Sequence, residues 1–317
     1  MTARTARSRP TLGAALGFGL AALSALALSA GPAQAAFPGT NGRVLVQWGD
    51  HIVSYAKSGG DRRDLGQGVG PRFSPDAKKI AISLGGDLYV MNANGTGKTR
   101  VTSGPRKDLN PAWAPDGKRI VFSSAPTATK TSRSLSVLTV ATKQVAPLTR
   151  ADDGCAFDPI WAATGRVVVY VDQCPTGAGS SSASVRKVDT TTGVVSTIIP
   201  VGGLMMGGQK FGLSGFSRPD ITPDGTKIAW RAESLEGTED GGVALSSLTG
   251  TGSRWVSFDL YWVYAGDPII SPDGKTIIFG YGNDNDQIDS ACLTSPCAGF
   301  YLDPPDVWAS PADWGRG

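Results

Sequence analysis

One short phrase recurs along this chain and sharply limits what it can fold into. It reads Pro71-Arg-Phe-Ser-Pro-Asp76, Pro111-Ala-Trp-Ala-Pro-Asp-Gly117 and Pro159-Ile-Trp-Ala-Ala-Thr-Gly165, then Pro219-Asp-Ile-Thr-Pro-Asp-Gly225 and Pro268-Ile-Ile-Ser-Pro-Asp-Gly274. Each copy runs into a short apolar stretch, at 79–83, 119–123, 166–170, 227–230 and 275–279. A fixed phrase returning at intervals of tens of residues marks a repeat architecture, in which one small unit buries its apolar face against the next copy of itself.

The phrase has a backbone meaning. Proline presets φ at the first central position of a turn, aspartate bonds its own backbone, and glycine accepts positive φ. It therefore reads as a hairpin turn, with the Lys/Arg-Ile stretch after it as the returning strand. A third strand follows in four copies, at 87–91, 134–138, 184–188 and 242–246, and a more polar fourth at 99–102, 145–149, 194–198 and 254–257. Four short antiparallel strands per unit, without helical periodicity, is one propeller blade. At the chain ends, Thr40-Asn-Gly-Arg43 resembles the phrase's turn and leads into strands within 43–67, but too little precedes it for an innermost strand. Asp306-Val-Trp-Ala-Ser-Pro311 resembles the start of the phrase with no returning strand. The two deficits complement each other. The expected fold is all-β, a six-bladed β-propeller of four-stranded antiparallel blades. Its ring is closed by the C-terminal strand, about 306–311, joining the N-terminal blade and leaving no open edge.

Export is read from the first 35 residues. Arg4, Arg7 and Arg9 precede a small, apolar stretch from Leu12 to Ala30, and Ala33-Gln-Ala35 closes it, the order of a Sec-type signal peptide. Cleavage after Ala35 would leave 36–317 as a single propeller domain, secreted, extracellular or held in the cell envelope, without stable membrane insertion. A retained anchor is the alternative, since the stretch is nearly long enough to span. Loss of the three arginines leaves 27 basic against 27 acidic residues. Such a chain has no long-range field to recruit nucleic acid. The four cysteines suit disulfides in an exported protein, locally paired as Cys155–Cys174 and Cys292–Cys297. A zinc site is the competing reading, against which the spacing speaks.

The run Pro-x-Phe/Trp-Ser/Ala-Pro-Asp-Gly-Lys, followed by Leu88-Tyr-Val-Met-Asn-Ala-Asn-Gly-Thr-Gly97 and Arg100-Val-Thr102, resembles the TolB-type propeller repeat, most clearly over 71–102 and 111–123. The resemblance extends over the chain beyond the signal. It implies a six-bladed propeller that binds other proteins at its channel mouth or sits beside an enzyme domain. The separate N-terminal α/β domain of that family is not expected, since little lies between the signal and the first blade.

In such a ring, the residue ahead of each inner strand falls near the channel mouth. That position is held by Gly70, Asn110, Asp158, Arg218, Asp267 and Asp306. Carboxylates, an amide and a guanidinium converging there would hold a cation, an amine or a basic peptide segment; aspartate before proline also serves as plain turn chemistry. Asp284, Asp286 and Asp289 form an oxygen-rich loop that is a calcium candidate, although the glycine and terminal glutamate of an EF-hand are missing. Otherwise no cofactor is expected. His51 is the only histidine, and Gly212-Leu-Ser-Gly215 falls one residue short of a nucleophile elbow, so no catalytic constellation is visible. Residues 201–217, apolar and glycine-rich, would plug the channel or offer a partner surface. Trp113, Trp161 and Trp308 read as core, and Trp255, Tyr261, Trp262 and Tyr264 as less regular aromatics that include candidate stacking groups. The expected function is that of a monomeric, secreted, non-catalytic propeller binding a protein or peptide. The alternatives are a polysaccharide-acting lyase or hydrolase with its site in the channel, or a scaffold.

Overall fold

The structure is a computed structural model that describes residues 39–127, 132–150, 154–173, 183–213, 218–235, 241–259, 267–281, 287–294 and 309–317. These residues form strands and no helix, arranged as six antiparallel sheets around a ring. Blade 1 contains β1 (Asn41–Trp48), β2 (His51–Tyr55) and β3 (Arg63–Gln67). Blade 2 contains β4 (Val69–Phe73), β5 (Lys79–Leu84), β6 (Asp87–Asn92) and β7 (Thr99–Arg100). Blade 3 contains β8 (Lys107–Trp113), β9 (Arg119–Ala125), β10 (Ser134–Thr139) and β11 (Gln144–Pro147). Blade 4 contains β12 (Ala156–Trp161), β13 (Val167–Asp172), β14 (Ser184–Asp189) and β15 (Val195–Ile199). Blade 5 is the largest, with β16 (Leu204–Met206), β17 (Gln209–Leu213), β18 (Asp220–Ile221), β19 (Lys227–Ser234), β20 (Gly241–Ser247) and β21 (Arg254–Asp259). Blade 6 has three strands among the described residues, β22 (Ile269–Ile270), β23 (Thr276–Tyr281) and β24 (Gln287–Cys292). The last strand, β25 (Ala309–Arg316), joins blade 1 in the order β25-β1-β2-β3.

The phrase builds each blade in two ways. Its turn is fastened by side chains: Ser74 Oγ donates to Asp76 Oδ1 at 2.7 Å and accepts from the Lys79 amide at 2.9 Å. Thr222 and Ser271 repeat the arrangement with Asp224 and Asp273. The hydroxyl is thus as much part of the turn as the aspartate and glycine. Second, the apolar residue of the phrase wedges into the preceding blade. Trp113 packs with Ala81 and Leu88, Trp161 with Ala112 and Val121, Phe73 with Leu45 and Ile52, and Ile270 with Ala229 and Val243. Each of the six hydrophobic clusters lies across one seam between neighbouring blades. Burying a side chain of this kind contributes about 1.5–3 kcal/mol.

Ring closure by a C-terminal strand stands, with a different register from the one read in the sequence. The closing strand is Ala309–Arg316, several residues later than 306–311, and Pro311 sits within it opposite Val46. Trp314 fills the wedge position, packing with Val44 of blade 1 and Ile269 and Ile278 of blade 6. The offset has a local cause. In blades 2, 3 and 4 a bulge skips two residues between paired positions, as between Val69 and Arg72, whereas the closing strand skips one between Pro311 and Asp313. The aromatic residue accordingly falls one place further from its proline. The chain ends meet here: the Gly317 amide donates to the Thr40 carbonyl at 2.7 Å, and a Cβ on Gly42 would collide with the Arg316 carbonyl.

The described part of the 201–217 insertion, 201–213, is sheet at blade 5 and not a channel plug, and it leaves Val201 and Met205 exposed. It forms the β16–β17 hairpin, and β17 pairs with β19 beside β18. Phe211 and Met206 are buried at the seam with blade 4, and Trp255 packs edge-on against Phe211 with ring centroids 4.7 Å apart. Trp255 is therefore a packing residue; Tyr261, Trp262, Tyr264 and Trp308 lie outside the described residues.

Candidate ligand site at the channel mouth

The inner strands carry the phrase, so equivalent positions from successive blades face one axis. Three layers follow one another along it. The first consists of Gly70, Asn110, Asp158, Arg218 and Asp267. The second is the pair of positions held by Arg72 and Asp313, with Asp220 from blade 5. The third is the rim of wedge residues, including Phe73, Trp113, Trp161 and Trp314.

The first layer comprises the positions marked by the sequence. Arg218 and Asp267 precede their inner strands, whereas Gly70, Asn110 and Asp158 lie within theirs, at the bulge. All three of the latter have positive φ, at 60°, 54° and 45°, and each is followed by proline. Sterics with the following ring disfavour helical backbone there, and a side chain in the left-handed region adds strain. What holds them is contact between blades. Asn110 Nδ2 donates to Asp158 Oδ1 at 2.5 Å, Arg218 Nε lies 3.2 Å from the same oxygen, and the Arg218 amide donates to Asp267 Oδ1 at 2.8 Å. Arg218 Nε is also 3.6 Å from Asp267 Oδ2. Blades 3, 4, 5 and 6 are thereby tied at one point. Gly70 of blade 2 completes the layer; a Cβ placed on it would meet Asn110 and Arg218 at ordinary van der Waals range. Asp306 lies outside the described residues.

The second layer was not marked by the sequence. Arg72 Nη1 approaches Asp313 Oδ1 at 3.7 Å, and Asp313 Oδ2 accepts from the Phe73 amide at 2.5 Å. Asp220 accepts the Ile221 amide at 2.9 Å on one oxygen and the Ile270 amide of blade 6 at 2.7 Å on the other. The signal existed: Arg72 and Asp220 occupy the repeat position that Ala112, Ile160 and Ile269 fill with apolar residues. A charge in an apolar column marks a group facing something other than core.

Burial dominates the electrostatics. It pushes the carboxyls of Asp158, Asp267 and Asp313 above the usual carboxylate range, with Arg218 pulling Asp158 and Asp267 back and Arg72 pulling Asp313 back. Asp220 is raised to about 7, against the opposing effect of Arg72 and its two amide donors. Four carboxylates thus share the channel with the guanidiniums of Arg72 and Arg218. A site of this kind favours a positively charged group from outside.

The remaining marked residues fall elsewhere. Asp284 and Asp286 lie outside the described residues. Asp289 pairs through its backbone with Phe279 in blade 6. Among the described residues no group of three or more His, Cys, Asp or Glu side chains is placed to hold a metal ion. His51 is a half-buried residue on β2, with Nδ1 3.3 Å from Asp64 Oδ2. Neither described cysteine, Cys155 nor Cys292, is a free thiol; Cys174 and Cys297 lie outside the described residues. No helix among the described residues is long and apolar enough to cross a membrane.

The model of the TolB beta propeller domain matches residues 62–199. Among solved structures, TolB from Acinetobacter baumannii is 17% identical, with 87% of this chain and 67% of that one covered at a TM-score of 0.64. A putative TolB from Agrobacterium tumefaciens is 15% identical over 86% of this chain and 98% of its own, with a TM-score of 0.59. An oligogalacturonate lyase in complex with manganese is 13% identical over 83% and 74%, with a TM-score of 0.52. At these identities the likeness shows the fold alone.

Proposed function

We propose that this chain, a six-bladed β-propeller with a fold like that of TolB, is an exported, non-catalytic, monomeric binding protein that engages a protein or peptide partner at the channel mouth. The observation that carries this reading is the first layer: residues from four blades line one recess, and its Arg218 lies 3.2 Å from the carboxylate of Asp158 and 3.6 Å from that of Asp267 in the next blade. Strained backbone at Asn110 and Asp158 supports it, since such conformations persist where the surroundings enforce them and cluster at ligand sites. The absence of free thiols at Cys155 and Cys292 fits an oxidising compartment, with the pairs Cys155–Cys174 and Cys292–Cys297 proposed.

The partner chemistry is positive charge. Replacing a buried carboxylate that faces a cation commonly costs 2–5 kcal/mol, and about 1.4 kcal/mol is a factor of ten in affinity. Selection of a random displayed-peptide library on the immobilised protein, and on the Asp158→Asn/Asp267→Asn double variant, tests the reading. Peptides carrying a positive group are expected to be retained on the wild type and to lose at least tenfold in affinity on the variant. Equal retention on both proteins contradicts the mouth as the site.

A further inference from the structure

We infer that the face of the ring opposite the mouth lies against an anionic lipid surface, held there by basic side chains on its turns. This is independent of what binds at the mouth.

Topology places the charges. Each inner strand runs away from the mouth, so the turns joining first to second strand and third to fourth strand emerge together at the far face. Among the described residues, five inner turns (74–79, 114–119, 162–167, 222–227 and 271–276) and five outer turns (55–63, 92–99, 139–144, 189–194 and 247–254) lie there. Together they hold thirteen lysines and arginines against six aspartates. Residues 36–317 carry 27 of each sign, which leaves 14 basic against 21 acidic residues for the rest of that stretch. A neutral total thus hides a separation of charge, and the positive face keeps its field within a Debye length, about 8 Å at physiological ionic strength.

The aspartates of this face do little to cancel it. Asp76, Asp116, Asp224 and Asp273 accept hydroxyls or amides of their own turns. Asp116 also pairs with Arg119, Asp189 with Arg166, and Asp61 with Arg43 and Arg63. No lysine of these turns lies within ion-pairing distance of a carboxylate among the described residues. Lys79, Lys98 and Lys143 donate to neutral oxygens and keep their charge. The repeated phrase itself sets the pattern: Lys78, Lys118, Arg166, Lys227 and Lys275 follow the turn in each copy, and all five are exposed.

The distribution selects the partner. A linear polyanion meets a stripe of charge, whereas these side chains come from all six blades at one level and match a plane. Eight of the thirteen are lysines, compact charges on flexible stems that suit mobile headgroups better than a fixed bidentate geometry. Val194, 64% exposed in the outer turn of blade 4, and Val145, 47% exposed beside that of blade 3, stand among them. A hydrated polymer offers those side chains nothing, while a bilayer interface accommodates them. Adsorbed by this face, the ring directs its mouth away from the bilayer.

Flotation of the intact protein with vesicles of equal parts phosphatidylglycerol and phosphatidylcholine, and with phosphatidylcholine alone, tests the inference. Retention is expected on the anionic vesicles at low salt, with loss at high salt and none on the neutral vesicles. Each basic residue near an anionic surface adds to binding, so Lys78→Gln/Lys118→Gln/Lys275→Gln is expected to weaken it at least about tenfold. Arg106→Gln/Lys107→Gln/Arg150→Gln removes the same charge from the connections on the mouth side and is expected to leave binding unchanged. Melting transitions confirm that both variants are folded. Equal losses in the two variants, or no retention of the wild type on anionic vesicles at low salt, overturns the inference. Binding to soluble polyglutamate without retention on vesicles also overturns it and assigns the face to a polyanion in solution. Peptide selection at the mouth is read separately, so either reading can fail while the other stands.

Discussion

At the scale of single residues, the first layer is held in an unfavourable backbone state by its own contacts. Asn110 has φ of 54° before Pro111 and donates to Asp158. Asn110→Ala removes the bond and leaves a Cβ-bearing residue in the left-handed region, whereas Asn110→Gly removes only the bond. A left-handed L-residue costs about 1–2 kcal/mol, and a hydrogen bond to a charged group is worth about 1.5–3 kcal/mol. Urea unfolding is expected to show Asn110→Ala less stable than Asn110→Gly by about 1 kcal/mol; equal losses contradict the strain. Asp220 gives a pH dependence. Its carboxyl loses a proton near the ordinary carboxylate value when unfolded and at about 7 when folded, so in between the folded state holds the extra proton. Its contribution is therefore fully present at low pH and lost as pH rises through 7. Arg72 and Asp313 are the charges facing it, and burial raises Asp313, Asp158 and Asp267 in the same direction. Thermal unfolding at pH 5 and pH 8 should show the wild type losing stability between them. Asp220→Asn, though less stable at pH 5 for want of an acceptor for one of two amides, should lose less across that range. Equal losses in both proteins contradict the assignment.

At the scale of the element, the phrase and the residue ahead of it are turn, wedge and mouth in one stretch of eight residues. Its turn tolerates one exception. Ala77 adopts φ of 54° where Gly117, Gly165, Gly225 and Gly274 adopt 64–69°. Ala77→Gly relieves left-handed strain of about 1–2 kcal/mol against a glycine entropy loss of about 0.5–1 kcal/mol. A net gain of about 0.5–1 kcal/mol is expected in urea unfolding, and a loss would contradict the strain assignment. The strands that follow the phrase were legible in the sequence because proline, aspartate and glycine punctuate them and β-branched residues fill them. The mouth was legible because it sits at a fixed offset from the same proline. The second layer was not, because Arg72 and Asp220 look like ordinary polar variation until the column they share with Ala112 and Ile160 is seen to face an axis. The β16–β17 hairpin escaped for another reason: Gly202, Gly203, Gly207 and Gly208 suggest a loop, and only pairing with β19 makes it sheet.

At the scale of the whole molecule, closure makes the ring and the ring makes the mouth. The number of blades followed from two incomplete ends, but the closing register did not, because the bulge in β25 skips one residue and the turn after it is divided between the two chain ends. β25 supplies the Trp314 wedge against blade 6 and the Asp313 acceptor for the amide of Phe73. A chain ending at residue 308 loses both and leaves β1 as an open edge. It is expected to lose its cooperative melting transition and to elute from size exclusion as aggregate; a monomer melting like the full chain contradicts the role given to β25. The central claim, that partners bind at the mouth, is tested most directly by observing the arginine Nε–H resonances of the protein by NMR while a library-selected peptide is added. The expected result is that the signals of Arg218 and Arg72 shift saturably in the wild type and stay in place in Asp158→Asn/Asp267→Asn. Saturable shifts confined to other arginines, with Arg218 and Arg72 unmoved, would contradict it.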